Sequence, residues 1–291
     1  STHTPPPAIL SGLVGSEMCI RDRLKSPSDM ALRKATSTTD GDLLLLTNST
    51  DGSLATYSIL RGQNVIAPSL STTDGEFINV GVDVDQIYFV IKRTISSATK
   101  YYVECFNDDN TTDSSKLLSG GSKPSTTTVT GLSHLEGKTV KVIADDSMQN
   151  DKTVSSGQIT LDAVPTTYVE IGLDYTPEVK TLPVELKLSS GNIVAQKKRI
   201  IEATCNLYLS QNLTLNGKDF LFTVGSGQFF TGKKRRKPML GFDREGQMTF
   251  SQSSPLFFTL LGVEYKVCLL YTSDAADEGL GVALGGRRII K

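Results

Sequence analysis

The sequence predicts an all-β chain, mainly antiparallel, in which propeller-blade-like or sandwich hairpins are followed by one or two small β modules with little helix. Three observations predict it. Thr, Ser, Gly, Val and Leu recur throughout, a composition that favours strands and turns. Asp-Gly and Asn-Gly pairs stand between β-branched or aromatic runs, where they supply the positive φ that tight hairpins need. The runs are short and follow one another at spacings of about 8–12 residues, the rhythm of sheets, sandwiches and propeller blades.

Residues 24–106 read as the antiparallel, blade-like hairpin region. LLLLT leads through a turn at 48–52 into SLATYSIL and then QNVIAPSL. Asp74-Gly75 leads into FINVGV, a turn at 83–86 into IYFVIKRT, and SSATK into YYVECF. Alternation in the last strand puts Tyr101, Val103 and Cys105 on one face and Tyr102, Glu104 and Phe106 on the other. Residues 107–126, polar and rich in Gly and Ser, read as a linker. Residues 127–183 form a small β module of TTTVTGL, KTVKVIAD, a turn at Asn150-Asp151, TVSSGQITLD and TTYVEIGL, in which Val140, Val142 and Ala144 alternate with Lys141 and Ile143. Residues 184–267 form a C-terminal β region. There a short helix is expected around 193–199, then a strand with Ala203, Cys205, Leu207 and Leu209 inward, a hairpin at Asn216-Gly217, and strands in FLFTV, QMTFSQ and LFFTLLGVEYKV.

Bulk properties exclude some classes. The formal net charge of −1 gives no global basic field for nucleic acid. The longest apolar runs fall far short of the roughly 18–20 residues that a membrane-spanning helix needs. The two ends differ from the rest: LVGSEMCIRDR near the start and CLLYTSDAADE near the finish resemble translations of transposon-based sequencing adapters. Residues 1–23 and 268–291 are therefore expected to be adapter-derived or disordered and to pack on no core. His3, Cys19 and Cys268 leave the chemical inventory with them, and His134, Cys105 and Cys205 remain.

That inventory offers no catalytic, cofactor-binding or metal-binding set, and no enzyme is expected. His134 sits between Gly131 and Gly137 in a turn and is the one imidazole a Ser-His or Cys-His pair has available. A hydrolase would need it beside a Ser or Asp in a pocket. Cys105 and Cys205 read as small core residues in a reducing compartment. Asp83 and Asp85 are expected on one strand face, and Asp108, Asp109 and Asp113 in a loop, without calcium-loop spacing. Gly225-Ser226-Gly227 has no helix behind it to cradle a phosphate.

One charged feature stands apart. Lys233, Lys234, Arg235, Arg236 and Lys237 are consecutive, and Lys197, Lys198 and Arg199 add a second cluster. Such runs contact phosphates with salt-sensitive affinity, or lie as solvated loops, or pair with an acidic partner surface. Neither run is flanked by the aromatic pattern of a single-strand binder.

STTDGEFINVGVDVDQIYFVIKRTISSATKYYVECF resembles a segment recurrent in tail proteins of short-tailed bacteriophages. GLSHLEGKTVKVIADDSMQNDKTVSSGQITLD, IGLDYTPEVKTLPVE, QKKRIIEATCNLYLSQNL and PLFFTLLGVEYKV are similar to the parts that follow it there, so the resemblance covers nearly all of residues 42–267. The family is that of the tail tubular protein B, or nozzle, together with phage DNA-stabilisation proteins. Ala67-Pro68-Ser69 stands where the family's second hairpin carries a Trp. The middle module is also similar to a β domain named after ubiquitin-activating enzymes, a likeness of fold that transfers no activity. The resemblance implies a virion structural protein, made in the host cytoplasm. It would be a subunit of a homo-oligomeric ring, in the family a hexamer, around the DNA exit channel. Its partners would be other tail proteins and exiting DNA, with no cofactor. The eight basic residues would line the channel or meet the next subunit. A reading from another class is a carbohydrate- or cell-surface-binding β module of the adhesin or receptor-binding type.

Overall fold

The computed structural model describes residues 23–270, except 38–39, 108, 185–186, 189–190, 193–196, 223–224 and 238–240. It is mainly antiparallel β, as the sequence predicts, and divides into two units at Tyr175/Thr176.

In the first unit, β1 (Pro27–Arg33), β2 (Asp42–Asn48), β3 (Leu54–Leu60) and β4 (Val65–Ser71) form a four-stranded meander. A second meander follows, of β5 (Glu76–Asp83), β6 (Gln86–Ile95) and β7 (Ala98–Cys105). The turns fall where the sequence puts them. β1 is an addition: its PSDMALR has little β-branched character, and it forms by pairing with the apolar β2. The two meanders bury Leu45 and Leu54 against Phe77, Val80, Ile87, Phe89 and Ile91. Each such side chain contributes about 1.5–3 kcal/mol. Polar bonds set the stacking. Between Phe77 and Asn79 the register of β5 shifts, and the groups freed by this bulge are taken by the facing sheet. The Val80 amide donates to Asp29 Oδ2 (3.0 Å), and Thr47 Oγ1 donates to the Ile78 carbonyl (3.3 Å).

β8 (Asp113–Ser119) corrects the linker reading of 107–126. It pairs with β14 (Tyr168–Leu173) at a sheet edge, where a polar sequence is no obstacle to a strand. β9 (Thr128–Thr130), β10 (Thr139–Ala144), β11 (Ser147–Met148), β12 (Lys152–Thr153) and β13 (Gln158–Thr160) complete the module, in the sheets β11-β10-β14-β8 and β13-β9. Val140, Val142 and Ala144 face its core with Val129, Val169 and Ile171. The hairpin reverses at Asp145-Asp146, both at positive φ, not at Asn150-Asp151. Asp145 decides this: its carboxylate accepts the amides of Thr166 and Thr167 (2.6 Å each) and of Tyr168 (3.1 Å).

Two buried charges tie the unit together. Inward residues of β6 recur at every second position as Ile87, Phe89, Ile91, Arg93 and Ile95, so the pleat carries a guanidinium inside. Arg93 Nε and Nη2 fork onto Glu104 of β7 (2.6 and 2.7 Å). Its Nη2 and Nη1 reach Asp113 at the start of β8 (3.1 and 3.3 Å), and Nη1 donates to the Asp74 carbonyl (3.0 Å). Gly75 permits the last contact, because a Cβ there would lie 2.4 Å from the Lys92 carbonyl. Glu170, on the other face of β14 from Ile171, accepts the Thr111 and Thr112 amides (2.8 and 2.7 Å) and the Thr112 hydroxyl (2.6 Å). Gly172 leaves room for that loop, since a Cβ there would meet Thr112 Oγ1 at 2.2 Å.

The second unit opens with β15 (Glu178–Lys180), which the sequence boundary at 183 assigns to the preceding module. β16 (Lys187–Leu188) and β17 (Gly191–Asn192) form a small hairpin. β18 (Lys198–Ser210), β19 (Thr214–Leu215), β20 (Lys218–Asp219), β21 (Phe230–Arg236), β22 (Thr249–Ser251) and β23 (Thr259–Leu269) follow. They make two sheets, β15-β22-β19-β20 and β21-β18-β23, packed through Ile200, Ala203, Cys205, Leu207, Leu215, Met248 and Phe250. Residues 193–196 of the expected helix lie outside the described residues, and Lys198 and Arg199 already belong to β18. Leu209, expected inward, is exposed because β18 bulges there at φ 42°. In FLFTV, Phe220 is buried while residues 220–222 form no strand and 223–224 lie outside the described residues. Most of both adapter-like ends also lies outside them, but β23 runs past the expected boundary: Cys268 and Leu269 pair with Arg199 and Lys198.

Two outcomes follow for stability. Arg93→Met strands two carboxylates and lowers unfolding free energy by about 3 kcal/mol, read by chemical denaturation. Arg93→Lys does not restore it, because an ammonium cannot form the fork. The second concerns acid. Burial pushes the Asp145 carboxyl up, but the three amides outweigh it and bring it from 3.8 to about 2. A carboxyl lowered by folding stabilises fully above its unfolded value and loses that contribution as pH falls toward the folded one. Asp145→Asn therefore flattens the pH dependence of stability between pH 4 and 2, measured by denaturation at fixed pH.

Candidate functional site

The basic run is a strand, and the pleat sorts it. Lys233, Arg235 and Lys237 are exposed at every second position, about 7 Å apart along the chain. Lys234 and Arg236 turn to the opposite face and sit over aromatic rings. Lys234 Nζ lies 4.5 Å from the Phe230 centroid and 5.5 Å from that of Phe222, and donates to the Leu221 carbonyl (2.8 Å). Arg236 lies 5.9 Å from the Phe220 centroid and donates to the Asp219 carbonyl. These two cations cover the rim of the core with their stems.

The second cluster is sorted in the same way. Lys198, expected among the exposed basic residues, is buried at 1% exposure with Nζ donating to the Val184 carbonyl (2.6 Å). Its backbone is clamped by Asp243, which accepts its amide (2.7 Å) and donates to its carbonyl (2.9 Å). It shares a face with Ile200, so alternation carries it inward. Beside it a cavity of about 200 Å³ is lined by Ile200, Phe242, Asp243 and Gln247, which bring no convergent acid–base set together. Lys197 and Arg199 remain exposed.

The solvent face of β21-β18-β23 therefore presents Arg199, Lys233, Arg235, Lys237 and Lys266 against Glu202 and Glu264. Lys233 pairs with Glu264 (2.7 Å), and Lys266 and Arg235 with Glu202 (3.0 and 3.7 Å). The Lys266 bond and then the neighbouring cations hold the Glu202 carboxyl below its usual range. Lys233, Arg235 and Lys266 keep more than half of their side-chain surface in water, so solvent screens each pair and it adds little to stability. Such pairs leave the cations able to exchange partners. Lys237 has no carboxylate within 4 Å among the described residues.

The remaining candidates separate. His134 Nε2 donates to the Ser114 carbonyl (3.2 Å), and burial lowers its pKa. The bond ties the module's turn to β8 and involves no hydroxyl or carboxylate. Asp83 ends β5, but Val84 at φ 55° turns the chain, so Asp85 leaves that face and lies 3.8 Å from Arg33. Asp108 lies outside the described residues, Asp109 is exposed, and Asp113 belongs to Arg93. Among the described residues no three His, Cys, Asp or Glu side chains come together to hold a metal ion. Cys205 is core, and burial pushes its thiol up to about 11. Cys105 is not core: it is exposed on β7 beside Tyr101 and Val103, because Glu104 and Tyr102 take the inner side of the strand.

No protein-family model matches the chain, and no curated protein is significantly similar to it.

Thiol labelling checks the cysteine placement. Cys105 reacts rapidly in the native protein, read by peptide mass spectrometry. Cys205 reacts on the order of a hundredfold more slowly at pH 8 in the native protein than in the unfolded one, from the loss of its own thiolate fraction on burial.

Proposed function

We propose that the chain is a structural subunit of a bacteriophage tail, assembled as a ring around the DNA exit channel. One observation carries the reading: residues 71–106, one of the segments bearing the resemblance, form a meander pinned by a buried Arg93, while alternate members of the chain's densest cationic run lie open on another sheet. The first feature suits a subunit that must hold shape under load. The second suits a surface that meets a polyanion, since phosphates and displaced counterions favour cations that exchange weak pairs for stronger ones. In this reading Lys233, Arg235 and Lys237, with Lys197, Arg199 and Lys266 beside them, contact passing DNA or an acidic face of the next subunit. Lys198, Lys234 and Arg236 hold the sheet that presents them.

A second reading, a glycan- or cell-surface-binding module, has one observation in its favour. Tyr88 and Tyr101 are 41% and 64% exposed on the same face of β6 and β7. Aromatic platforms of this kind stack sugar rings. Glycan-array binding that is lost in the Tyr88→Ala, Tyr101→Ala pair selects this reading over the first.

Native mass spectrometry and negative-stain microscopy test the ring: closed rings support it, and a strict monomer with tight glycan binding contradicts it. DNA contact is tested by salt titration of duplex binding. Replacing Lys233, Arg235 and Lys237 together by Glu lowers the slope of log K against log salt by about 2–3. An unchanged slope assigns the run to subunit contact.

A further inference from the structure

The second unit carries an open strand edge whose sequence matches itself. β23 spans Thr259–Leu269 and pairs on one side with β18. Among the described residues no strand or backbone hydrogen bond occupies its other side. An unpaired edge of this length is a template for another chain, and native proteins usually blunt such edges.

Among the described residues, four of the other long edge strands are blunted or committed. β4 carries Pro68. β21 carries a run of cations, which repels a second copy of itself. On β1, Asp29 is bonded to the Val80 amide and Arg33 to Asp40. On β7, Glu104 is held in the Arg93 fork. β23 has no proline, and Glu264 and Lys266 lie 73% and 72% exposed in surface pairs that an added partner would extend.

We infer that β23 is a two-fold docking edge for a second copy of this chain. Antiparallel pairing centred on Tyr265 places Tyr265 opposite Tyr265 of the other copy. Glu264 then meets Lys266 twice, and Val263 meets Val267 twice, so both charge pairs and both apolar pairs are complementary. A shift of one residue along either strand sets unlike side chains against each other and moves them to opposite faces, which fixes the register. The sheet becomes six strands across the two copies, and the basic faces become continuous. This contact is independent of the ring: it forms a dimer alone or joins two rings edge to edge.

The test uses the 291-residue chain with Cys19, Cys105 and Cys268 replaced by Ser. Tyr265→Cys brings two Cα atoms to about 4.5–5.5 Å across the two-fold, within disulfide range, so oxidation at micromolar concentration gives a covalent dimer. Val263→Cys gives none, because its opposite position is Val267. In the unaltered chain, sedimentation equilibrium shows a two-fold association that Lys266→Glu weakens about tenfold. The Glu264→Lys, Lys266→Glu swap restores it. Circular dichroism confirms folding of each variant. Absence of the Tyr265→Cys cross-link, or association indifferent to Lys266→Glu, overturns the seam. Rings that persist without the cross-link leave the tail reading standing, and a cross-linked dimer that never forms rings removes the tail reading and keeps the seam.

Discussion

Arg93 is a guanidinium taken out of water in the middle of a strand, and the first unit is arranged around keeping it satisfied. Burying an ion pair brings desolvation costs that attraction often fails to repay, so a salt bridge as such explains little. Geometry decides the matter here. The five N–H groups of the side chain meet five acceptors: two oxygens of Glu104, two of Asp113 and the carbonyl of Asp74. Those acceptors come from β7, from the start of β8 and from the turn before β5, which are three different parts of the chain. Thr73 and Lys138 extend the network, through Asp113 (2.7 Å) and Asp74 (2.7 Å) respectively. Meander and module are joined at a point that tolerates one arrangement.

Much of this was legible in the sequence. Asp-Gly and Asn-Gly turns, β-branched runs and alternation locate most strands, because hairpin chemistry is local. Arg93 itself lies in the inward series of β6, and the pleat that buries Ile91 and Ile95 buries it too; its partners, distant in sequence, were not legible. The polar stretch containing β8 reads as a linker because an edge strand half in solvent needs no apolar alternation. Asp145 moves a turn by five residues through bonds to amides more than twenty positions away, which no local pattern shows.

The basic run shows the opposite limit. Five cations in a row carry no alternation, so the sequence cannot say which face each takes. The rings of Phe220, Phe222 and Phe230 make the selection, drawing Lys234 and Arg236 across them and leaving the other three in water. Lys198 is the same lesson from the other side, a lysine taken inward by the parity of its strand. Only part of a charged cluster is therefore available to a partner. What remains is a cationic sheet face formed by alternate members of the run.

The central claim is that Arg93 makes the meander and the module one cooperative body. Native-state hydrogen exchange across a series of low denaturant concentrations tests it most directly, comparing amides of residues 76–105 with those of residues 113–173. The account predicts that both groups converge on one opening free energy and exchange together. Exchange of the meander at lower free energy, with the module still fully protected, would contradict it.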